Sequence, residues 1–277
     1  MDRPDSVQGA RFDGQASDFD RRAGLPPDAA AAVVDAIVEI AGLEAGSRVL
    51  DLGAGTGQLA MQFLERGFSC TALDESPAML EVLREKAIAR GLSPDTVVAD
   101  AGKRWPMDDG AANLVFGSRS LHWLSPEHVC AEAFRVASRE GCAILVGRVE
   151  RSAEGARARI RSNMRDLLAA AGFEGRSGRA STRAITARLV DSGAAPIPPR
   201  AVAAWLVRST PRAVIDAWHR KHGLAGQDVP ASVKEGVLAR TEAWAAEAFG
   251  DIDAPTESEE WYTLEGAVIA PPKRARP

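Results

Sequence analysis

The sequence has few of the residues from which disulfide frameworks and metal sites are built. It contains 3 cysteines, Cys70, Cys130 and Cys142, and none of them lies in a CxxC or Cys/His pattern. A sparse, odd-numbered set of this kind argues against a disulfide framework and against structural zinc. His219 and His222 lie three residues apart but have no third ligand nearby in the sequence. We therefore expect no metal site.

The sequence also lacks a long apolar run and a strong excess of charge. No apolar stretch reaches the roughly 18 residues of a membrane span, and the polar start MDRPDSVQGARFDGQ lacks the apolar core of a signal peptide. The net charge is -4, which gives no general attraction to nucleic acid or to anionic membranes. We expect a cytoplasmic protein that binds neither; the composition does not indicate an oligomeric state.

Short apolar strands alternate with amphipathic helices through the first half of the chain. Strands are predicted at residues 48–52, 68–73, 96–99, 114–117 and 143–147. The helix after the second strand is predicted to begin at Pro77, with Ser76 as its N-cap. Such alternation predicts an α/β fold with a parallel sheet and right-handed crossovers.

The pattern changes after residue 147. An amphipathic helix is marked by Ala156, Ile160, Met164, Leu167 and Leu168, and further elements follow it. We predict helices at 181–193, 211–221 and 230–249, a break at AAPIPP, and strands at 201–207 and 261–269.

The strongest motif is VLDLGAGTG at residues 49–57, where an apolar strand runs into a GxGxG turn. Its glycines tolerate positive φ and let the backbone approach a nucleoside closely. Dinucleotide-binding enzymes use a similar turn but need GxGxxG, and here residue 58 is Gln58. Asp51 is placed to accept a hydrogen bond from an ammonium group, whereas its carboxylate would repel a pyrophosphate.

Two further acids end the second and third predicted strands. Asp74 can accept hydrogen bonds from both hydroxyls of a ribose. Asp100 can accept from an adenine amino group while the amide of Ala101 donates to the ring. Because the carboxyl ends of parallel strands meet at one edge of a sheet, Asp51, Asp74 and Asp100 are expected to converge on one crevice.

These motifs resemble the class I S-adenosylmethionine-dependent methyltransferases, particularly the ubiquinone/menaquinone-biosynthesis and trans-aconitate methyltransferase group. VLDLGAGTG matches their first motif residue for residue, and WPMDDGAANLVFGSRSLHWL resembles their stretch from the third strand to the end of the fourth. RFDGQASDFDRRAGLP resembles the N-terminal segment that folds over their cofactor. Two departures are Ala112-Asn113, where the family usually has Phe-Asp, and Phe19, where it usually has Tyr.

The resemblance implies a Rossmann-like seven-stranded methyltransferase sheet with helices on both faces and a helical lid. It divides the chain into an arm over the cofactor (1–27), an S-adenosylmethionine-binding core (28–150) and a region with the acceptor-binding lid and the closing strands (151–277). The cofactor S-adenosyl-L-methionine, with S-adenosyl-L-homocysteine as its product, is then expected to contact Arg22, Asp51, Gly53, Ala54, Gly55, Gly57, Asp74, Glu75, Asp100, Ala101 and Ser118.

On the acceptor side we expect Phe19, Trp123, Met164 and Leu168 to line the pocket. His122 is a candidate general base that would take a proton from the acceptor. The alternative is that His122 and Trp123 shape the pocket floor, because relatives with different substrates also carry LHW.

The expected function is methyl transfer by in-line displacement to an O-, N- or C-nucleophile of a small molecule. The alternatives are a non-catalytic S-adenosylmethionine-binding protein, or a methyltransferase acting on RNA or protein. Acidic charge and the absence of an NPPY-like motif argue against RNA. Arginines are frequent over residues 151–188. They form either a solvated helix face or a rim that attracts an anionic substrate, so a hydrophobic or anionic acceptor is expected.

Overall fold

The computed structural model describes residues 16, 19–20, 24–173, 178–221, 223–225 and 227–270. The strands are β1 (Arg48–Leu52), β2 (Ser69–Asp74), β3 (Asp95–Val98), β4 (Leu114–Ser118), β5 (Cys142–Arg151), β6 (Ala195–Ser209) and β7 (Thr256–Ile269). The helices are α1 (Pro27–Ala41), α2 (Gln58–Glu65), α3 (Pro77–Ile88), α4 (Pro126–Val136), α5 (Ala156–Ala170), α6 (Gly178–Asp191), α7 (Pro211–His219) and α8 (Ala231–Phe249). A 3-10 turn, Leu121–Trp123, precedes α4.

The strands form one seven-stranded sheet in the order β3-β2-β1-β4-β5-β7-β6. The first five strands pair in parallel. Strands β5 and β7 are antiparallel. Gly266 lies against the Ile144 carbonyl, whereas further along the chain Ser152 N donates to the carbonyl of the earlier residue Glu259 at 3.0 Å. The sheet is therefore mixed, and the predicted Rossmann-like methyltransferase architecture is confirmed.

The chain reverses its direction of travel across the sheet between β1 and β4. It passes outward from β1 through β2 to β3 and then returns to add β4 on the other side of β1. Open α/β sheets bind ligands beyond the carboxyl ends of the strands at such a switch point. The order of strands therefore places a crevice at the ends of β1 and β4.

Helix α3 begins as its sequence predicts. Pro77 is its first residue, and the Ser76 hydroxyl accepts a hydrogen bond from the Met79 amide at 3.2 Å. This cap satisfies one of the amides that a helix start leaves without an intrahelical partner. Because α3 follows β2 directly, the cap also fixes the backbone next to Asp74.

The helix predicted at 181–193 ends at Asp191, before AAPIPP, but the strand predicted to begin at residue 201 starts earlier. Pro196, Pro198 and Pro199 lie inside β6, which begins at Ala195. Strand β6 is the last in the sheet and has one neighbour, β7. An edge strand tolerates proline because one of its sides needs no N–H donors for the ladder.

The described residues divide into two compact units. The first contains residues up to 148, 178–203 and 262 onward, and the second contains 149–177 and 204–261. This division differs from the predicted one, because α6 belongs to the first unit and not with the lid. Ile185 and Leu189 of α6 are fully buried in one apolar cluster with Val129 and Ala133 of α4. The apolar face of α6 is therefore covered by the first unit.

Helices α5, α7 and α8 build a separate apolar core in the second unit. Ile160, Met164 and Leu168 line the buried face of α5, which confirms the amphipathic helix predicted there. Met164 and Leu168 have no exposed surface and pack in one cluster with Ile215 and Leu238. The structure thus gives both side chains a packing role, while their contact with an acceptor stays a prediction.

We predict that Met164→Ala lowers the free energy of unfolding by about 2–5 kcal/mol, because it removes buried methylene groups and leaves a cavity. Leu167→Ala on the same helix is the matched control, since Leu167 is only partly buried. Its loss should be smaller. Urea denaturation measures both. Equal, small losses for the two variants would contradict a core position for Met164.

Candidate functional site

The glycine-rich turn follows β1 and has a left-handed backbone at three positions. Gly53, Gly55 and Gly57 have φ of 73°, 57° and 76°. The Gly53 and Ala54 amides both donate to the Leu73 carbonyl, at 2.8 and 3.0 Å. These bonds attach the turn to the end of β2, so the turn has a fixed shape in the free protein.

The three glycines differ in what surrounds them. A Cβ on Gly53 would lie 2.4 Å from Ser120 Cβ, and one on Gly57 would lie 2.1 Å from Leu83 Cδ1. A Cβ on Gly55 would have no heavy atom of the described residues within 4 Å. Gly53 and Gly57 are therefore required by packing. Gly55 faces open space, where a ligand can approach the backbone closely.

Asp51 is a buried carboxylate at the end of β1. It is 2% exposed, and its Oδ1 atom is shielded from solvent with no hydrogen-bond partner among the described residues. Burial, followed by the charge of Asp74, raises the pKa of Asp51 to about 7. A buried acceptor without a donor is costly, so this atom is suited to a ligand that brings a donor.

Asp74 supports the turn from the end of β2. Its Oδ2 atom accepts from the Gly55 amide at 2.8 Å, and its Oδ1 atom accepts from the Ser76 amide at 2.9 Å. The carboxylate is thus oriented by two backbone bonds.

Glu75 and Asp100 extend the acidic cluster. Burial, and then the charge of Asp100 and a hydrogen bond shared with it, raises the pKa of Glu75. Asp100 Oδ1 accepts from the Gly102 amide at 2.7 Å, and the nearest cation, Lys103 Nζ, is 4.0 Å from Oδ2. Both acids, with Asp51 and Asp74, make this edge of the sheet strongly negative. The charge of Asp74 raises the pKa of Asp51, and the charges of Asp100 and Asp74 contribute to the raised pKa of Glu75. These acids therefore lie close enough to interact, in agreement with the predicted convergence.

The backbone at Ala101 is fixed from two sides. Its carbonyl accepts from Trp105 Nε1 at 2.9 Å and lies 3.0 Å from His128 Nε2. Trp105 is buried and packs edge-on against the His128 ring at 6.1 Å between centroids. The segment that was predicted to hold an adenine ring is therefore rigidly placed, though the structure does not test that contact.

Ser118, at the end of β4, binds a tyrosine that sequence reasoning missed. The Tyr262 hydroxyl donates to Ser118 Oγ at 2.6 Å. Tyr262 is fully buried, and burial raises the pKa of its hydroxyl. A Cβ on Gly147 would lie 1.9 Å from that hydroxyl, so β5 needs glycine there. Tyr262 is the single tyrosine of the chain, and this was the one signal that the sequence offered. Its contact with Ser118 depends on the position of β7 next to β5, which the sequence alone does not give.

The segment after β4 returns to the glycine turn. Arg119 has a φ of 61°, and its amide donates to the Gly147 carbonyl at 2.9 Å. The Ser120 hydroxyl donates to the Leu52 carbonyl, next to Gly53. A non-glycine residue with positive φ is uncommon and is found where surrounding contacts hold it.

His122 and Trp123 lie in the 3-10 turn that follows. Their ring centroids are 4.8 Å apart, His122 is partly buried, and Trp123 is 37% exposed. An exposed indole beside the carboxyl end of β4 is accessible to a ligand. The role of His122 as a base and that of Trp123 as an acceptor contact both stay predictions.

The end of the N-terminal arm is attached to the glycine turn through residues that sequence reasoning did not single out. The Asp20 carboxylate accepts from the Thr56 hydroxyl and from Lys86, and Lys86 Nζ donates to the Thr56 carbonyl at 3.0 Å. The Gln58 side chain exchanges two hydrogen bonds with the Leu25 backbone, at 2.8 and 2.7 Å. Gln58, which stands where a GxGxxG motif would have its last glycine, thus holds the end of the arm against the glycine turn.

The other predicted arm residues are less well placed by the structure. Phe19 is partly buried, and nothing further tests its contact with an acceptor. Arg22 lies outside the described residues. Its expected contact with the cofactor remains a prediction.

Two kinds of feature are absent from the described residues. No group of three His, Cys, Asp or Glu side chains in that part of the chain is arranged to hold a metal ion. None of its helices is both long and apolar enough to cross a membrane.

Comparison with known families agrees with the geometry. Residues 49–141 match the family model described as a methyltransferase domain. This segment runs from β1 to the start of β5 and contains the glycine turn, Asp74, Asp100 and Ser118. Over these residues the chain is similar to methyltransferase domains, among them those of menaquinone-biosynthesis enzymes.

Three curated relatives are similar over this part of the chain. An uncharacterised methyltransferase of Mycobacterium bovis is 39% identical over 93 residues, which are 33% of this chain and 36% of the relative. The malonyl-acyl-carrier-protein O-methyltransferase of Serratia marcescens is 35% identical over 134 residues, 47% and 50% of the two chains. The demethylmenaquinone methyltransferase of Thermus thermophilus is 37% identical over 114 residues, 39% and 50%. The chain spans half or less of the length of these relatives.

Two solved structures extend the likeness to most of the chain. A (4+2)-cyclase superposes with a TM-score of 0.55 at 21% identity, covering 93% of this chain and 94% of the other. A methyltransferase of Bacillus halodurans, described as putative in its own structure, superposes with a TM-score of 0.54 at 16% identity, covering 84% and 97%. At these identities the likeness concerns the fold alone.

The raised pKa of Asp51 gives a testable dependence of stability on pH. The folded pKa of about 7 lies above the ordinary value of 3.8, so the folded protein holds a proton that the unfolded chain releases. Wild-type stability should therefore fall as pH rises from about 4 to about 7, by up to ~1.4 kcal/mol per pH unit from this group. Asp51→Asn should lose this decline.

Urea denaturation at pH 4.5 and pH 7 checks the difference between the two proteins. Asp35→Asn, at an exposed acid on α1 that pairs with Arg66, is the control and should follow the wild type. The assignment would be contradicted if the free energies of unfolding of the wild type and of Asp51→Asn differed by the same amount at the two pH values.

Proposed function

We propose that the protein is an enzyme that binds S-adenosylmethionine in the acidic crevice and transfers its methyl group to a small molecule. The unpartnered Oδ1 atom of Asp51 carries this proposal. S-adenosylmethionine carries a sulfonium and an ammonium group, and an acidic cluster favours a ligand with such charges. The methyltransferase-domain match over residues 49–141 supports the same function.

The described residues fit the cofactor in three places. Gly55 leaves space for a close approach to the turn, Asp51 offers a buried acceptor for the ammonium group, and Asp74 offers an oriented carboxylate for the ribose hydroxyls. Asp100 and the Ala101 amide would receive the adenine. Gly53, Ala54, Gly57 and Glu75 would complete the wall, with Arg22 as the proposed contact for the carboxylate of the methionine part.

The bound cofactor supplies a methyl group that is already activated on sulfur. The protein then needs to align the acceptor and exclude water more than to perform acid–base chemistry. Ser118 is held by the donating hydroxyl of Tyr262, so its own hydroxyl proton remains available to a ligand acceptor. Phe19 and Trp123 offer aromatic faces, which favour positive charge.

The acceptor is proposed to be a small molecule, methylated in the cytoplasm. Two of the relatives are named for different acceptors, a malonyl-acyl-carrier protein and demethylmenaquinone. We therefore propose neither of these compounds as the acceptor of this chain. If the acceptor nucleophile arrives protonated, His122 is the proposed base.

Loss of the Asp74 carboxylate should weaken cofactor binding. We expect Asp74→Ala to reduce the affinity for S-adenosylhomocysteine by about 1–3 kcal/mol, because the ribose loses a charged acceptor and the Gly55 amide loses its partner. Calorimetry measures the change. Asp95→Asn, at the opposite end of the strands, is the control and should bind as the wild type does. Unchanged affinity of Asp74→Ala would remove Asp74 from the site.

Methyl transfer itself is tested with S-adenosylmethionine that carries a labelled methyl group. Incubated with the small-molecule fraction of a cell extract, wild type should label at least one compound, and Asp74→Ala should label it at least about tenfold more slowly at subsaturating cofactor. Cofactor binding without any labelled product, from small-molecule, RNA and protein fractions alike, would favour a non-catalytic binding protein. Labelled RNA or protein would overturn the small-molecule acceptor.

A further inference from the structure

Three arginines form a stripe along α5 in the second unit. Arg157, Arg161 and Arg165 are spaced four residues apart, so their side chains lie on one helix face, one turn above the other. Like charges at this spacing destabilise a helix. Arg151, the last residue of β5, lies close enough to affect the charge of Arg161. The chain therefore concentrates four cations here.

A single carboxylate is paired with this group within the described residues. Glu260 of β7, which is 3% exposed, accepts from Arg151 Nε at 3.0 Å and from Arg157 Nη1 at 3.1 Å. Within the described residues, the other two arginines of the group, Arg161 and Arg165, form no ion pair.

Arg159, between the stripe residues in sequence, has a different role. Its guanidinium lies 4.3 Å from the centroid of the Phe249 ring and donates to the Ala248 carbonyl at 3.4 Å. This cation–π contact explains Arg159 by packing alone. Arg159 therefore does not belong to the stripe.

Arg161 is the residue that packing does not explain. It is partly buried, and no described residue forms an ion pair or hydrogen bond with it; its Nε atom is shielded from solvent. Burial, and then the charges of Arg165 and Arg151, lower the pKa of Arg161 to about 10, so the side chain is still charged at neutral pH. A donor that is shielded from solvent and lacks an acceptor is unfavourable.

The Nε atom of a fully exposed arginine would not be shielded in this way. Solvated arginines keep their guanidinium in water, as Arg165, which is exposed, does. The Arg161 Nε donor instead needs an acceptor that the described chain does not provide. Guanidinium groups bind carboxylates and phosphates through two parallel N–H···O bonds, one of which can come from Nε.

We propose that Arg161, with Arg151 and Arg165, forms an oxyanion-binding site in the second unit that takes a carboxylate or phosphate group of a small ligand. This site goes beyond the methyl-transfer function, because none of its residues belongs to the acidic crevice. Arg157 and Glu260 hold the site in place, and Arg161 makes the central contact.

Inorganic phosphate and citrate are the two probes, measured against sodium chloride at equal ionic strength. We expect at least one of them to raise the melting temperature of the wild type and to bind in calorimetry. A response to phosphate alone identifies a phosphoryl site, and a response to citrate alone identifies a carboxylate site. No response to either beyond that to chloride would overturn the proposal.

Variants at position 161 separate binding from folding. Arg161→Gln should weaken the responding probe at least tenfold, and Arg161→Lys should recover only part of the affinity, because lysine keeps the charge without the planar donor pair. The control Arg212→Gln removes a cation of the same unit that pairs with Asp253 and Glu242 and should leave binding unchanged. Without the probe, Arg161→Met should melt no lower than wild type, since it removes a buried unpaired charge. Unchanged probe affinity in Arg161→Gln would refute the site.

Discussion

The acidic groups at the carboxyl ends of β1, β2 and β3, of which Asp51 is buried, are the constraint around which the first unit is organised. Asp51 is enclosed almost completely, and the charge of Asp74 acts on it. The free protein tolerates this by holding a proton on Asp51 up to about pH 7. A ligand that brings a cation replaces an unfavourable interaction with a favourable one, so the cost of burial in the free protein becomes selectivity for positive charge.

The surrounding structure keeps that arrangement rigid. The left-handed turn at Gly53 and Gly55 is hydrogen-bonded to β2 and to Asp74. The Asp20 carboxylate binds Thr56 and Lys86 and thereby attaches the arm to the same turn. On the other side, Tyr262 fixes the Ser118 hydroxyl. Preorganised polar groups of this kind bind a ligand without first having to reorganise.

Local patterns predicted the parts of this site that depend on neighbouring residues. The strand, the glycine turn and the Ser76 cap are each encoded within a few residues, so their positions followed from sequence. Tyr262 and the Asp20–Lys86 pair could not be found this way, because they meet their partners across more than 60 residues of chain. The three prolines of β6 misled for the same reason, since edge position is a property of the whole sheet.

The arginines show the same limit. Their frequency over residues 151–188 was compatible with either a solvated helix face or an anion site. The sequence did not indicate which of these arginines would bind an anion. The structure separates them by environment: Arg157 is paired with Glu260, Arg159 packs on Phe249, and Arg161 is shielded without an acceptor. The proposed oxyanion site therefore rests on the one arginine whose environment differs from that of its neighbours.

The most direct test of the acidic crevice is proton release on cofactor binding. Calorimetry of S-adenosylmethionine binding at pH 6.5, repeated in buffers of different ionisation enthalpy, measures the protons exchanged. If Asp51 receives the cation, it gives up the proton that it holds in the free protein, and the wild type should release a substantial fraction of one proton per cofactor bound. Binding without proton release would show that Asp51 does not meet the ligand's charge, and absence of binding would contradict the account as a whole.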